Sequence, residues 1–232
     1  PLQYLLNLSD IVIDSNTHKI NQILDYEKQD NQWNPIKIGV NSDLSGMILE
    51  KMNSIDCIVV QGPPGTGKTF RMAQLVSLLL KSNKSVLVTA LTNQALMELA
   101  KKEDIKPFLD SSKVYKTSLT VDESKDLPKL LPNRDNLCNP TKGHLSLGTF
   151  YISSGWAKNL TDIPFDYVIM DEASQALFPM IAATMKIGKK VIWIGDQNQL
   201  PPIVLTNEDI INRFNWSEIV NGFKSICENF SY

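Results

Sequence analysis

The sequence predicts an α/β fold, a mainly parallel sheet with helices on both faces, and three observations carry that prediction. Short apolar runs alternate along the chain with longer stretches whose apolar residues recur at helical spacing. The short runs are nearly continuous rather than alternating with polar residues, as strands covered on both faces require. Several of them end in glycines or acids, as in "VVQGPPGTGKT", "VIMDE" and "VIWIGD". Parallel sheets collect their ligands at the carboxyl ends of strands, where those residues would stand.

Taken in order, "IDCIVV" (55–60) is a β-branched run feeding into the glycine-rich stretch. "TFRMAQLVSLLLKS" follows, with Met72, Leu75, Val76, Leu79 and Leu80 on one helical face. "SVLVTA" (85–90) is a second buried strand, and "NQALMELAKK" the helix after it. "HLSLGTFYI" (144–152) reads as a third strand, with "DYVIMDE" and "KKVIWIGD" as two more and "SQALFPMIAATMK" as the helix between them. Residues 103–143, with four prolines and many charges, read as a loop-rich insertion at the sheet's edge containing one short strand in "SKVYKTSL". Residues 1–40 form a lead segment without a clear pattern, and 41–232 the folded lobe.

Composition narrows the classes. With 43% hydrophobic and 21% charged residues over 232 positions, the chain suits one sizeable globular domain. Its purely apolar runs are only a few residues long, as at Leu78–Leu80, so no membrane span is expected. The first ten residues lack a basic stretch before an apolar one, and a start at Pro1 fits a piece of a longer protein. Cys57, Cys138 and Cys227 are scattered and His18 and His144 lack neighbouring ligands, so no Cys/His metal site is expected, and reduced thiols in a cytoplasmic or nuclear setting are. A net charge of −2 argues against a basic coat and leaves room for a local basic groove.

The chemistry concentrates in three segments. Gly62, Gly65, Gly67, Lys68 and Thr69 match G-x-x-x-x-G-K-[ST], a loop whose backbone N–H groups curl around phosphate oxygens at a helix start. The stretch Gly62, Pro63, Pro64, Gly65, Thr66, Gly67, Lys68, Thr69 and Phe70 is the candidate nucleotide cradle. Lys68 would reach the β- and γ-phosphates, and Thr69 would offer a hydroxyl to Mg²⁺. In "VIMDEASQAL" two adjacent carboxylates suit a division of labour, Asp171 holding Mg²⁺ and Glu172 orienting the attacking water. In "VIWIGDQNQLPPIV", Gln199 carries a neutral amide able to donate to the γ-phosphate.

Together these segments resemble the first motor lobe of superfamily 1 helicases, in particular the up-frameshift-type branch. "GPPGTGKT" is similar to that family's motif I, "DEASQA" to motif II and "GDQNQLPP" to motif III, while "VLVTALTNQALMEL" and "SLGTFYISS" stand where motifs Ia and Ic would fall. The resemblance spans Val59 to Val204 and is weak from Glu103 to Gly143. It implies a RecA-like P-loop lobe that uses ATP and Mg²⁺ to move along single-stranded RNA or DNA, 5′ to 3′, inside the cell. By position, Thr89, Thr92, Asn93 and Thr149 would contact the strand's phosphates. Thr92 and Asn93 suit helix capping equally well, and Phe150 and Tyr151 offer a base-stacking face or core packing along the strand.

Two departures qualify the resemblance. The family's adenine-reading glutamine upstream of motif I is missing, with Asn41 kept and Asp43 or Leu44 at its place in "GVNSDLSGM". Only 28 residues follow Val204, so the partner RecA-like lobe and its arginines are expected outside these residues. The alternative is a nucleotide-gated binding module that switches a partner interaction without unwinding.

Overall fold

A computed structural model describes residues 37–39, 42–132, 140–158, 160–202, 208–213 and 220–229. The elements are α1 (Leu44–Lys51), β1 (Cys57–Gln61), α2 (Lys68–Lys81), β2 (Val86–Ala90), α3 (Asn93–Ala100), α4 (Lys106–Asp110), β3 (Val114–Lys116), α5 (Val121–Asp126), β4 (Leu131–Pro132), β5 (Leu145–Thr149), α6 (Phe150–Ala157), β6 (Phe165–Met170), α7 (Phe178–Ile187), β7 (Gly188–Gly195), α8 (Glu208–Arg213) and α9 (Gly222–Asn229). The strands form one parallel sheet in the order β1-β7-β6-β2-β5-β3-β4. This is the RecA-like arrangement, with helices on both faces.

Strand alternation divides the core between the faces. Val86 and Val88 of β2 join Ile48, Met72, Leu75, Val76, Leu79, Leu96 and Leu99 from α1, α2 and α3. Leu87 points the other way, to Phe150, Met180, Ile181, Met185, Trp193 and Phe223 under α6, α7 and α9. Trp193 is fully buried and its indole N–H donates to Thr184 Oγ1 at 3.0 Å, so a large apolar side chain enters the core without an orphaned donor. Truncating it to alanine would cost about 3–5 kcal/mol.

Local chemistry ends the elements. Helix α2 stops where Asn83 adopts φ 56°, with Asn83 N–H donating to Leu80 O and Lys84 N–H to Leu79 O, both at 3.0 Å. Helix α7 begins at Phe178 with Pro179 in its first turn. A proline deeper in a helix would lose a backbone bond and clash with the preceding turn. That is why "SQALFPMIAATMK" is not one helix: Ala173–Gln175 make a separate 3₁₀ turn.

Two further expectations change. "HLSLGTFYI" is strand only to Thr149, and Phe150 and Tyr151 open α6. Their aromatic propensity for strands is a weak prior that the turn at the sheet's carboxyl edge overrides. Phe150 is buried in the core and Tyr151 is exposed, so the two do not share one stacking face. Residues 103–132, read as loop-rich, contribute α4, α5, the edge strand β4 and its neighbour β3, with β3 inside "SKVYKTSL". Lys116 of β3 is buried there, its ammonium held by Ser118 O at 2.7 Å and by both Glu123 oxygens at 3.1 Å. Burial pushes the Glu123 carboxyl up, but the Thr120 N–H and the Lys116 charge outweigh it and hold it below its ordinary value.

Candidate nucleotide and strand site

The strand order gathers the three chemical segments. Strands β1, β7 and β6 are neighbours, so the loops after Gln61, Gly195 and Met170 leave the sheet side by side. Gly62 N–H donates to Gly195 O at 3.1 Å, which ties the first loop's start to the end of β7. Gly65 and Gly67 then take φ of 78° and 79°, left-handed conformations that a side chain resists. At Gly62 the constraint is space, since a Cβ would lie 3.0 Å from Thr66 Oγ1. The Thr66 hydroxyl donates to Pro63 O at 2.8 Å and closes the curl.

Lys68 is the first residue of α2. Its ammonium donates to Gly62 O and, at 3.1 Å, to Pro63 O, so it lies over the cradle. Thr69 is half-buried beside it, while Pro63 to Gly67 and Phe70 form an exposed rim. Upstream, Asp43 caps α1, its Oδ1 accepting from Gly46 N–H at 3.0 Å, and Arg71 donates to Ser42 O at 3.0 Å. Of the two positions where an adenine-reading glutamine would stand, Asp43 is a helix cap and Leu44 opens α1. Asn41 lies outside the described residues.

Strand β6 delivers the acids. Asp171 is buried, its N–H donates to Thr89 O, and its Oδ1 accepts from Glu172 N–H, both at 2.9 Å. Burial raises its carboxyl above the ordinary value, with the Glu172 N–H and the Lys68 charge opposing and Glu98 adding to the rise. Glu172 turns through φ 53°, unusual for a side-chain-bearing residue. Burial again comes first in raising its carboxyl, followed by the charges of Asp171 and Glu98, against Lys68. Among the described residues Glu172 Oε2 is buried with no hydrogen-bond partner. A buried, unsatisfied carboxylate oxygen is costly unless a ligand or water meets it.

The third loop is laced to the second. Ser174 donates to Gln199 Oε1 at 3.2 Å and Gln175 Nε2 to Leu200 O at 2.7 Å. Asp196 is buried and accepts from Asn198 N–H at 3.0 Å. Sequence reading missed Ser174 as the residue that orients Gln199, and Glu98 as a third acid whose charge reaches Asp171 and Glu172. Glu98 lies on α3 and accepts from Gln94 at 3.3 Å. Nothing in "NQALMELA" signals that role, because it depends on how α3 sits against the sheet.

The residues expected to touch a strand divide. Thr92 caps α3, its Oγ1 accepting from Ala95 N–H at 3.2 Å, and its own hydroxyl proton is still there to donate. Asn93 beside it is exposed, and Thr149 ends β5 directly opposite Ala90. These three share one edge, next to the acids on β6. Thr89 does not join them. It is fully buried, with Oγ1 3.0 Å from Ser153 Oγ, and presents no surface to a phosphate. A residue one step short of the strand's end points into the core rather than over the edge.

Comparison with known proteins places the chain in a family. The family model described as "AAA domain" matches residues 28–121 and 151–207, and the chain belongs to that family. It is 27% identical over 184 residues to the DNA replication ATP-dependent helicase/nuclease DNA2 of Saccharomyces cerevisiae, covering 76% of this chain and 12% of that protein. To the Homo sapiens protein of the same name it is 29% identical over 217 residues, covering 87% of this chain and 20% of that one. The chain thus spans a small part of the length of these relatives. Among solved structures, the UvsW helicase from bacteriophage T4 overlays with a TM-score of 0.46 at 12% identity, over 78% of this chain and 61% of that one. Among the described residues no helix is long and apolar enough to cross a membrane.

Proposed function

We propose that this lobe binds Mg-ATP and supplies most of the catalytic groups of a superfamily 1 helicase motor of the up-frameshift-type branch. That motor would translocate 5′ to 3′ along single-stranded RNA or DNA in an intracellular setting. The observation that carries the reading is the adjacency of β1, β7 and β6, whose carboxyl ends lead into the segments bearing Lys68, Asp171, Glu172 and Gln199, with Thr92, Asn93 and Thr149 beside the ends of the neighbouring strands β2 and β5.

In this reading the loop from Gly62 to Phe70 holds the phosphates through backbone N–H groups and the start of α2, and Lys68 exchanges its carbonyl partners for β- and γ-phosphate oxygens. The donor set fits a hard divalent cation: the Thr69 hydroxyl and the Asp171 carboxylate, whose burial is relieved by a positive charge. No three His, Cys, Asp or Glu side chains gather into a metal cage among the described residues. A Mg²⁺ would therefore share its shell with phosphate oxygens and water, as Mg²⁺ commonly does. When bound, the ion would neutralise charge developing on the phosphates. The unpartnered Oε2 of Glu172 suits it to accept a proton from, or orient, the attacking water. Gln199, its amide oxygen engaged by Ser174, has its NH₂ to offer the γ-phosphate. A second RecA-like lobe would complete the site with arginines, which elsewhere contribute ~10³ to 10⁵ in rate.

The test is ATP turnover by the full-length protein with and without single-stranded RNA and DNA, with strand binding measured across salt concentrations. Turnover should rise with a strand, and log affinity should fall with log salt by about 0.7 per phosphate contact. Nucleotide binding without any strand binding would instead favour a nucleotide-gated module that switches a partner.

A further inference from the structure

Beneath the strand edge runs a buried chain of hydrogen bonds that reaches the catalytic acids. It starts at Asp171, whose N–H donates to Thr89 O at 2.9 Å. On the same residue, Thr89 Oγ1 lies 3.0 Å from Ser153 Oγ, and Ser153 Oγ donates to Thr149 O at 3.0 Å. Each hydroxyl has one hydrogen. Because the Ser153 hydrogen is used on Thr149 O, the Thr89 hydroxyl must supply the one between the two oxygens. The chain is thus polarised from β2 through α6 to the end of β5.

We propose that Ser153 is a positioning residue that couples nucleic-acid contact at Thr149 to the placement of Asp171 and Glu172. This rests on the strand-binding reading above. Three observations support it. Thr89 and Ser153 are 0% and 2% exposed, and apolar residues of the same shape can fill such a buried pair at nearly no cost in stability, so a polar pair here is not a requirement of packing. The junction has little slack. A Cβ added at Gly148 would stand 3.2 Å from Thr117 Cγ2 and 3.5 Å from Trp156, so a push on Thr149 is passed to α6 rather than absorbed. At the far end, Glu172 holds a left-handed φ of 53°, a conformation that persists only while its surroundings dictate it and is sensitive to a shift of its neighbour.

In the full-length protein, basal ATP turnover, turnover at saturating single-stranded DNA or RNA, and strand dissociation constants would be measured for wild type, Ser153→Ala, Thr89→Val and Thr89→Ser. Ser153→Ala should keep basal turnover and strand affinity within about twofold. It should lower the ratio of stimulated to basal turnover by roughly 2- to 30-fold, the range of coupling mutations at sites that touch neither ligand. Thr89→Val should lower the same ratio, and the double variant should lose no more than the larger single, since both act through one bond. Thr89→Ser, which keeps the hydroxyl, should restore it. A wild-type ratio in Ser153→Ala overturns the proposal. So does a parallel fall in basal turnover, strand affinity and melting temperature, which marks a packing role only. Wild-type protein that binds no strand overturns the strand-binding reading and this proposal with it.

Discussion

Strand β6 carries an aspartate near its start and another just past its end, and the two are opposites. Asp166 is fully engaged: Oδ2 accepts from Ser85 N–H at 3.1 Å and from Ser85 Oγ at 3.2 Å, and Oδ1 from Lys189 at 3.1 Å. Burial pushes its carboxyl up, but the Ser85 N–H and Lys189 outweigh burial and hold it below the ordinary value. Asp171 accepts from the Glu172 N–H at 2.9 Å, and burial dominates, raising its carboxyl above the ordinary value. One strand therefore presents a satisfied acid that locks β6 to the start of β2, and a costly one at the edge where ligands gather. Holding a buried carboxylate with so little compensation opposes stability, and the neighbouring fold must supply what it lacks.

The largest test of this contrast is at the ligand end. Glu172→Gln should lower ATP turnover by ~10² to 10⁴ while nucleotide binding persists, because only the proton-accepting oxygen is lost. Loss of binding as well would make Glu172 structural. Lys68→Ala should lower turnover by ~10² to 10³ through lost charge at the phosphates; unchanged turnover in single-turnover assays would remove it from the site.

The other end should respond in stability. Asp166→Ala strands a buried Ser85 N–H and should cost about 1–3 kcal/mol at pH 7, read by urea unfolding. Since the folded-state carboxyl is held low, its contribution is present above the ordinary carboxylate range and fades as pH falls through the lowered value. The variant and the wild type should converge in acid. Asp171→Asn should do the reverse on a smaller scale. A carboxyl raised in the folded state favours folding only below the ordinary range and loses that contribution as pH rises through the raised value. Melting temperature at pH 7 should therefore rise in Asp171→Asn, with the gain vanishing in acid. Equal pH profiles for the two variants would erase the distinction between the ends.

Why one edge was easier to read than the other follows from the residues. Gly65 and Gly67 have few reasons to be glycine besides their positive φ, so the phosphate loop was legible as written, as were the acids behind an apolar run. Hydroxyls have many uses. Thr92 caps a helix, Thr89 is buried in a bond to α6, and Thr149 ends a strand, yet all three look alike in sequence. Phe150 and Tyr151 likewise satisfied a strand pattern and became the first turn of a helix, with one ring buried and the other exposed.

What the sequence by itself determined are features whose cause is local: the glycine turn at the start of α2, buried strands ending in acids, the capping of α1 and α3, and the proline that delays α7. Tertiary structure alone decided the strand order β1-β7-β6-β2-β5-β3-β4, the reach of Glu98 to the acids, and the bonds joining Ser85 to Asp166 and Thr89 to Ser153 across 81 and 64 positions. The physical reason is distance along the chain. A turn's backbone conformation is set within a few residues, whereas which hydroxyl or carboxylate finds a partner depends on strands and helices that meet only when the sheet assembles.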